Sequence, residues 1–108
     1  MLDMNQWEAA FRKGFAKPII LQILHDEGES YPYQLTKQIP KRTMGMLTMA
    51  TSNIYPALKN LKDDGLICEV GVKERKIMYS LTEEGKIFLS ELKVSIGGFL
   101  TMMLKNFE

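Results

Sequence analysis

The run Thr51-Ser52-Asn53-Ile54-Tyr55-Pro56-Ala57-Leu58-Lys59-Asn60-Leu61-Lys62-Asp63-Asp64-Gly65-Leu66-Ile67 constrains this chain more than any other stretch. Ile54, Leu58 and Leu61 recur at spacings of four and three, the stripe of a helix with one face in a core. Thr51 or Ser52 offers a hydroxyl as N-cap, because its oxygen can accept from an orphan N–H of the first turn. Pro56 then lies near the first turn, where a missing N–H does least damage. Gly65 stops the helix, and residues 66–70 read as a strand. Residues 71–75 make a turn, and residues 76–81 return as a second strand with Ile77, Tyr79 and Leu81 on one face. Thr82 caps a further helix, whose positive end Glu83 and Glu84 favour. Helix, strand, turn, strand, long helix is the order of a winged helix-turn-helix, mainly α with a small β-hairpin (α+β).

Upstream, residues 2–12 are weakly helical, with Trp7 and Phe11 one turn apart, until Gly14 interrupts them. The apolar run Ile19-Ile20-Leu21-Gln22-Ile23-Leu24 lies between Pro18 and Gly28, residues suited to a helix start and a helix end. It should be the central core helix. His25, beside Asp26 and Glu27, reads as a solvated residue that favours the helix dipole. Ser30-Tyr31-Pro32 opens a shorter helix holding Leu35 and Ile39, which Pro40 ends. Met44, Met46 and Met49 in the following connection are expected to plug the core edge, with an adaptable pocket as the alternative.

A length of 108 residues bounds the chain to one compact unit. Within it we divide a winged-helix domain with an N-terminal helix (1–81) from a C-terminal dimerisation helix (82–108). Cys68 is the only cysteine and lies in the run Leu66-Ile67-Cys68, so it reads as a small buried hydrophobe. One histidine, one cysteine and no glycine-rich phosphate loop leave no nucleophile and base to nominate. The chain is therefore not read as an enzyme, and no metal or cofactor is called for. With no secretory signal and no apolar run read as a membrane span, a cytoplasmic protein is expected.

The net charge of +1 is unevenly spread. Residues 31–81 carry eight basic and four acidic side chains, whereas the segments on either side are net acidic. The excess lies where double-stranded DNA would be touched. Thr51, Ser52, Asn53, Tyr55 and Lys59 put short hydrogen-bonding groups near a helix start and a lysine further along, which suits a helix end-on in the major groove. Lys73, Arg75 and Lys76 at the hairpin tip, against Glu74 alone, suit phosphates or the minor groove. An ordinary capped surface helix and a lysine-rich solubilising hairpin explain each feature taken singly. The rival to DNA binding is a protein-interaction scaffold, which Asp63, Asp64, Glu74 and the small net charge favour.

Phe88, Leu92, Ile96, Phe99, Met103 and Phe107 recur at spacings of four, four, three, four and four. That is a heptad-like seam over roughly 30 Å of helix. A stripe this long calls for a partner. We expect the same helix of a second subunit, together with Trp7, Phe11 and Phe15. Gly97-Gly98 marks a kink, a close crossing or the helix end.

These residues resemble the PadR-type transcriptional regulators, in a short form with a single C-terminal helix. The resemblance rests on Asn53-Ile54-Tyr55-Pro56-Ala57-Leu58 followed by Leu61-Lys62-Asp63-Asp64-Gly65-Leu66-Ile67, on Tyr79-Ser80-Leu81-Thr82-Glu83-Glu84-Gly85, and on Tyr31-Pro32-Tyr33-Gln34-Leu35. It implies a homodimer that binds a pseudo-palindromic operator and represses transcription. By that likeness Ser52, Asn53, Tyr55 and Lys59 read the groove, and Lys73, Arg75 and Lys76 form the wing. A small hydrophobic or aromatic effector at the dimer interface is compatible with the family. Departures from the family pattern are Pro32 and Ser52 or Asn53 where glycines are common, a wing with one arginine, and no tryptophan in the last helix.

Overall fold

The computed structural model describes residues 1–108. Five α-helices and one hairpin follow one another: α1 (Met4–Arg12), a single 3-10 turn (Lys13–Phe15), α2 (Ala16–Glu27), α3 (Pro32–Arg42), α4 (Thr51–Asp63), β1 (Ile67–Lys73), β2 (Lys76–Leu81) and α5 (Glu83–Lys105). The winged-helix order read from the sequence is the order observed. Ile20, Ile23, Leu35, Ile39 and Ile54 are wholly buried where α2, α3 and α4 meet. Ile67, Tyr79 and Leu81 carry the base of the hairpin into the same core, and Leu89 brings α5 to it.

The junction of hairpin and α5 shows why Leu81-Thr82-Glu83-Glu84-Gly85 has the residues it has. The Thr82 hydroxyl accepts from the Gly85 N–H at 3.0 Å and donates to the Gly65 carbonyl at 2.7 Å. It thus caps α5 and ties it to the end of α4. A Cβ on Gly85 would lie 2.1 Å from the Leu66 carbonyl oxygen, so only glycine lets the first turn of α5 approach the chain entering β1.

Several local expectations need correction. Ala50, not Thr51 or Ser52, is the N-cap of α4, and no side chain caps it. The Ala50 carbonyl accepts from Asn53 and Ile54 at 2.9 and 3.1 Å, which starts the helix earlier and leaves both hydroxyls out of the cap. Pro56 consequently lies inside α4, not near its first turn. Pro40 does not end α3, which runs on to Arg42. The last turn closes through Thr43, whose N–H and hydroxyl both donate to the Ile39 carbonyl. Met44 and Gly45, both at positive φ, then reverse the chain. Of the loop methionines only Met49 packs on the core, while Met44 and Met46 are exposed.

The hairpin is longer and its turn tighter than expected. β1 continues to Lys73, and only Glu74 and Arg75 turn, with φ of 51° and 68°. Two left-handed residues in sequence match the right-handed twist of the strands. Gly71 belongs to the strand, beside a register shift that leaves Val70 unpaired. Ile77 does not share the burial of Tyr79 and Leu81. It pairs with Val72 near the exposed tip, and Met78 is buried instead. Cys68 is partly exposed, not buried, as it pairs with Ser80 away from the core stripe.

Gly97-Gly98 neither ends nor interrupts α5, which runs through to Lys105. Only Gly85 and Leu89 of this helix are buried. By length and composition α5 could cross a membrane, since a window within it has a mean hydropathy of 1.5. This differs from the expectation of no such run. Glu91 and Lys93 lie inside the stretch, and a charged residue at a bilayer centre costs about 2.5–3.5 kcal/mol.

Candidate nucleic-acid interface

The burial of Ile54, Ala57, Leu58 and Leu61 fixes which side of α4 faces outward. Ser52, Asn53, Tyr55, Lys59 and Lys62 are exposed, and Thr51 is half-buried. Because no side chain is spent on capping, the hydroxyls and amide at the helix start are free to meet a ligand. Lys59 reaches Asp63 one turn on at 2.8 Å. That hydrogen bond raises the lysine pKa and lowers that of the carboxylate.

The wing stands beside this helix and its cations are differently engaged. Lys73 meets Glu29 at 2.9 Å, and the hydrogen bond raises its pKa. Lys76 places its ammonium 4.4 Å from the centre of the Tyr31 ring and 3.4 Å from the phenol oxygen. Arg75, at the turn, forms no ion pair. The three wing cations, alike in the sequence, are thus in three states: Lys73 on an acid, Lys76 on a ring and Arg75 on neither.

Between the wing and the starts of α3 and α4 lies a cleft of about 200 Å³ lined by Tyr31, Tyr33, Tyr55 and Tyr79 with Arg75 and Lys76. All four tyrosines of the chain converge there. Tyr33 and Tyr55 are exposed, whereas burial raises the pKa of Tyr79, with Glu69 and Tyr55 adding to the effect. Lys37 lies 5.0 Å from the centre of the Tyr33 ring. Tyr31, Tyr33 and Lys37 were missed as candidate site residues. The four-residue spacing of Tyr33 and Lys37 was a legible signal, but the approach of Tyr31 to Lys76 depends on the tertiary fold.

A second surface is apolar. Trp7 is 68% exposed, Phe11 64% and Phe99 58%. Phe88 and Met103 are also exposed, and Phe15, Leu92 and Ile96 are half-buried. α2 and α5 border a groove of about 300 Å³ lined by Phe15, Pro18, Ile19, Leu89, Leu92 and Ile96. The residues named from periodicity are thus largely uncovered, and the groove brings Phe15 together with Leu92 and Ile96.

The transcriptional regulator PadR-like family matches residues 20–91, the span from the core of α2 into α5. The chain belongs to this family of transcriptional regulators. The resemblance read from the recognition-helix and strand motifs is therefore correct, as is the reading against an enzyme, for the family is one of regulators. The chain is 35% identical over 81 residues to the transcriptional regulator YqjI of Escherichia coli, a match that covers 75% of this chain and 39% of that relative. It thus spans well under half the length of the curated relatives it matches. Bacillus subtilis PadR, solved in complex with operator DNA, is 34% identical with a TM-score of 0.62, covering 72% of this chain and 46% of that one. A transcriptional regulator from Clostridium thermocellum is 26% identical with a TM-score of 0.76, covering 86% and 90%. A PadR family regulator from Eggerthella lenta shares the fold over 97% of this chain and 92% of its own, with a TM-score of 0.85 at 19% identity.

Proposed function

We propose that this PadR-like regulator is a cytoplasmic homodimer that binds a pseudo-palindromic operator and represses transcription. The start of α4 enters the major groove, where Ser52, Asn53, Tyr55 and Lys59 meet base edges and Thr51 supports the entry. The wing lies along the backbone through Lys73, Arg75 and Lys76, with Tyr31, Tyr33 and Lys37 adding contacts from α3 and its N-cap. The observation that carries this reading is the outward face of α4 standing beside a basic wing, with the buried stripe turned away from both. The operator complex of the Bacillus subtilis relative supports it.

Dimerisation follows from the apolar face. The α5 seam of Phe88, Leu92, Ile96, Phe99 and Met103 meets a second copy, and Trp7, Phe11 and Phe15 complete the interface. Burial of such side chains stabilises by about 1.5–3 kcal/mol each. A small hydrophobic effector has room at the same face, but none is required. Acidic partners on Lys59 and Lys73 favour a second reading, a scaffold that does not bind DNA specifically.

Fluorescence anisotropy separates the two. The duplex is taken from just upstream of the gene, beside a scrambled duplex, at low and near-physiological salt. Tight, salt-sensitive binding that prefers the upstream duplex is expected, since each phosphate neutralised releases counterions. No binding to either duplex at low salt would leave the scaffold.

A further inference from the structure

Every lysine offered to DNA from the outer face of α4 and from the wing already has a partner, and one of the acidic partners lies outside both α4 and the hairpin. Lys59 holds Asp63 within its own helix. Lys73, at the end of β1, instead holds Glu29, which lies in the connection between α2 and α3. That connection is fixed without the ion pair. Ser30 and Tyr79 exchange backbone hydrogen bonds of 3.0 and 2.8 Å. Ser30 is wholly buried, with its hydroxyl bound to Gln34 and Gln38. The Glu29 carboxylate is therefore not needed to place the wing, and its effect falls on the charge of Lys73. A carboxylate and a phosphodiester offer an ammonium the same charge-assisted hydrogen bond, and the two anions repel when they share one cation.

We propose that Glu29 is an affinity-setting residue: its carboxylate occupies Lys73 in place of a DNA phosphate, and Lys73 grips a duplex only once a phosphate displaces it. This rests on the DNA-binding reading above. Phosphate contacts carry no sequence information, so the effect applies to any duplex and needs no known operator. Exposed pairs are weak, so removing the competitor should tighten binding only about two- to fivefold.

The test is a double-mutant cycle of Glu29→Gln and Lys73→Gln, read by anisotropy with a mixed-sequence duplex at low salt. Glu29→Gln should tighten binding in the wild-type background and change nothing when Lys73 is already glutamine. A gain that persists without Lys73 would reflect net charge alone and overturn the proposal. Weaker binding by Glu29→Gln would make Glu29 a wing-positioning residue and overturn it equally. Wild-type binding with no gain in the variant defeats this inference alone. No binding by any of the four proteins defeats the DNA-binding reading with it. A titration of the Lys73 ammonium by nuclear magnetic resonance gives a readout that involves no DNA. Its pKa should fall in Glu29→Gln, and an unchanged value would mean that the pair does not form in solution.

Discussion

Gly85 shows how much a single residue can decide. Its missing Cβ leaves space for the Leu66 carbonyl, which a methyl group would enter at 2.1 Å. Backbone cannot swing aside as a side-chain tip can, so Gly85→Ala should destabilise the protein by about 1–3 kcal/mol, as overpacking does. Urea denaturation checks this: an unchanged midpoint would show that the α5 junction yields without cost. Arg75 decides at the surface instead. As the wing cation held by neither an acid nor an aromatic ring, it is free to bind phosphate without displacing an acid. Arg75→Ala should weaken binding to all duplexes and reduce the log–log salt slope by roughly 0.9. An equal slope in variant and wild type would remove Arg75 from the phosphate contacts.

Helix ends and helix interiors respond to different forces, and two elements make this measurable. At the end of α2 the Asp26 carboxylate is held well below its ordinary pKa by hydrogen bonds from His25 first, then Gln22 and Arg42. A carboxyl whose pKa is lower in the folded than in the unfolded chain adds stability above its ordinary value, 3.8. That stability drains away as pH falls towards the native pKa. Asp26→Asn should therefore flatten the acid limb of the stability curve below about pH 4. Thermal unfolding across that range tests it, and parallel acid limbs would reject the linkage. In α4, Pro56 is exposed inside the helix and donates no N–H. Pro56→Ala restores that donor, and after loss of the unfolded-state restriction should stabilise by about 1–2 kcal/mol. Stability equal to or below wild type would mean that α4 already accommodates the ring.

For the whole molecule, the large apolar side chains of α1 and α5 stand exposed. Phe99 is 58% exposed in the isolated chain, so a change there leaves the protomer core untouched. Phe99→Asp places a carboxylate in the proposed seam with no partner. A monomer at micromolar concentration is expected in place of the dimer, read as mass in solution. A variant that keeps the dimer mass would move the interface off this part of α5. The same experiment bears on DNA binding, because a palindromic site needs two copies of α4 held at a fixed spacing.

The elements were legible in the sequence because their signals are local. The stripe of Ile54, Leu58 and Leu61 needs only the helical repeat, the Thr82 cap only its own first turn, and the α5 seam only its heptad spacing. The outward side of α4 followed from the same stripe, so Ser52, Asn53, Tyr55 and Lys59 lie where periodicity put them. Boundaries were less legible. Ala50 displaced Thr51 and Ser52 as cap because backbone geometry, not hydroxyl chemistry, began the helix. The state of the wing was decided only in three dimensions. Lys73 finds Glu29, Lys76 finds Tyr31, and the four tyrosines converge because α3, α4 and β2 meet at one corner. Periodicity tells a residue which face it occupies, but its partners across elements depend on how those faces are brought together.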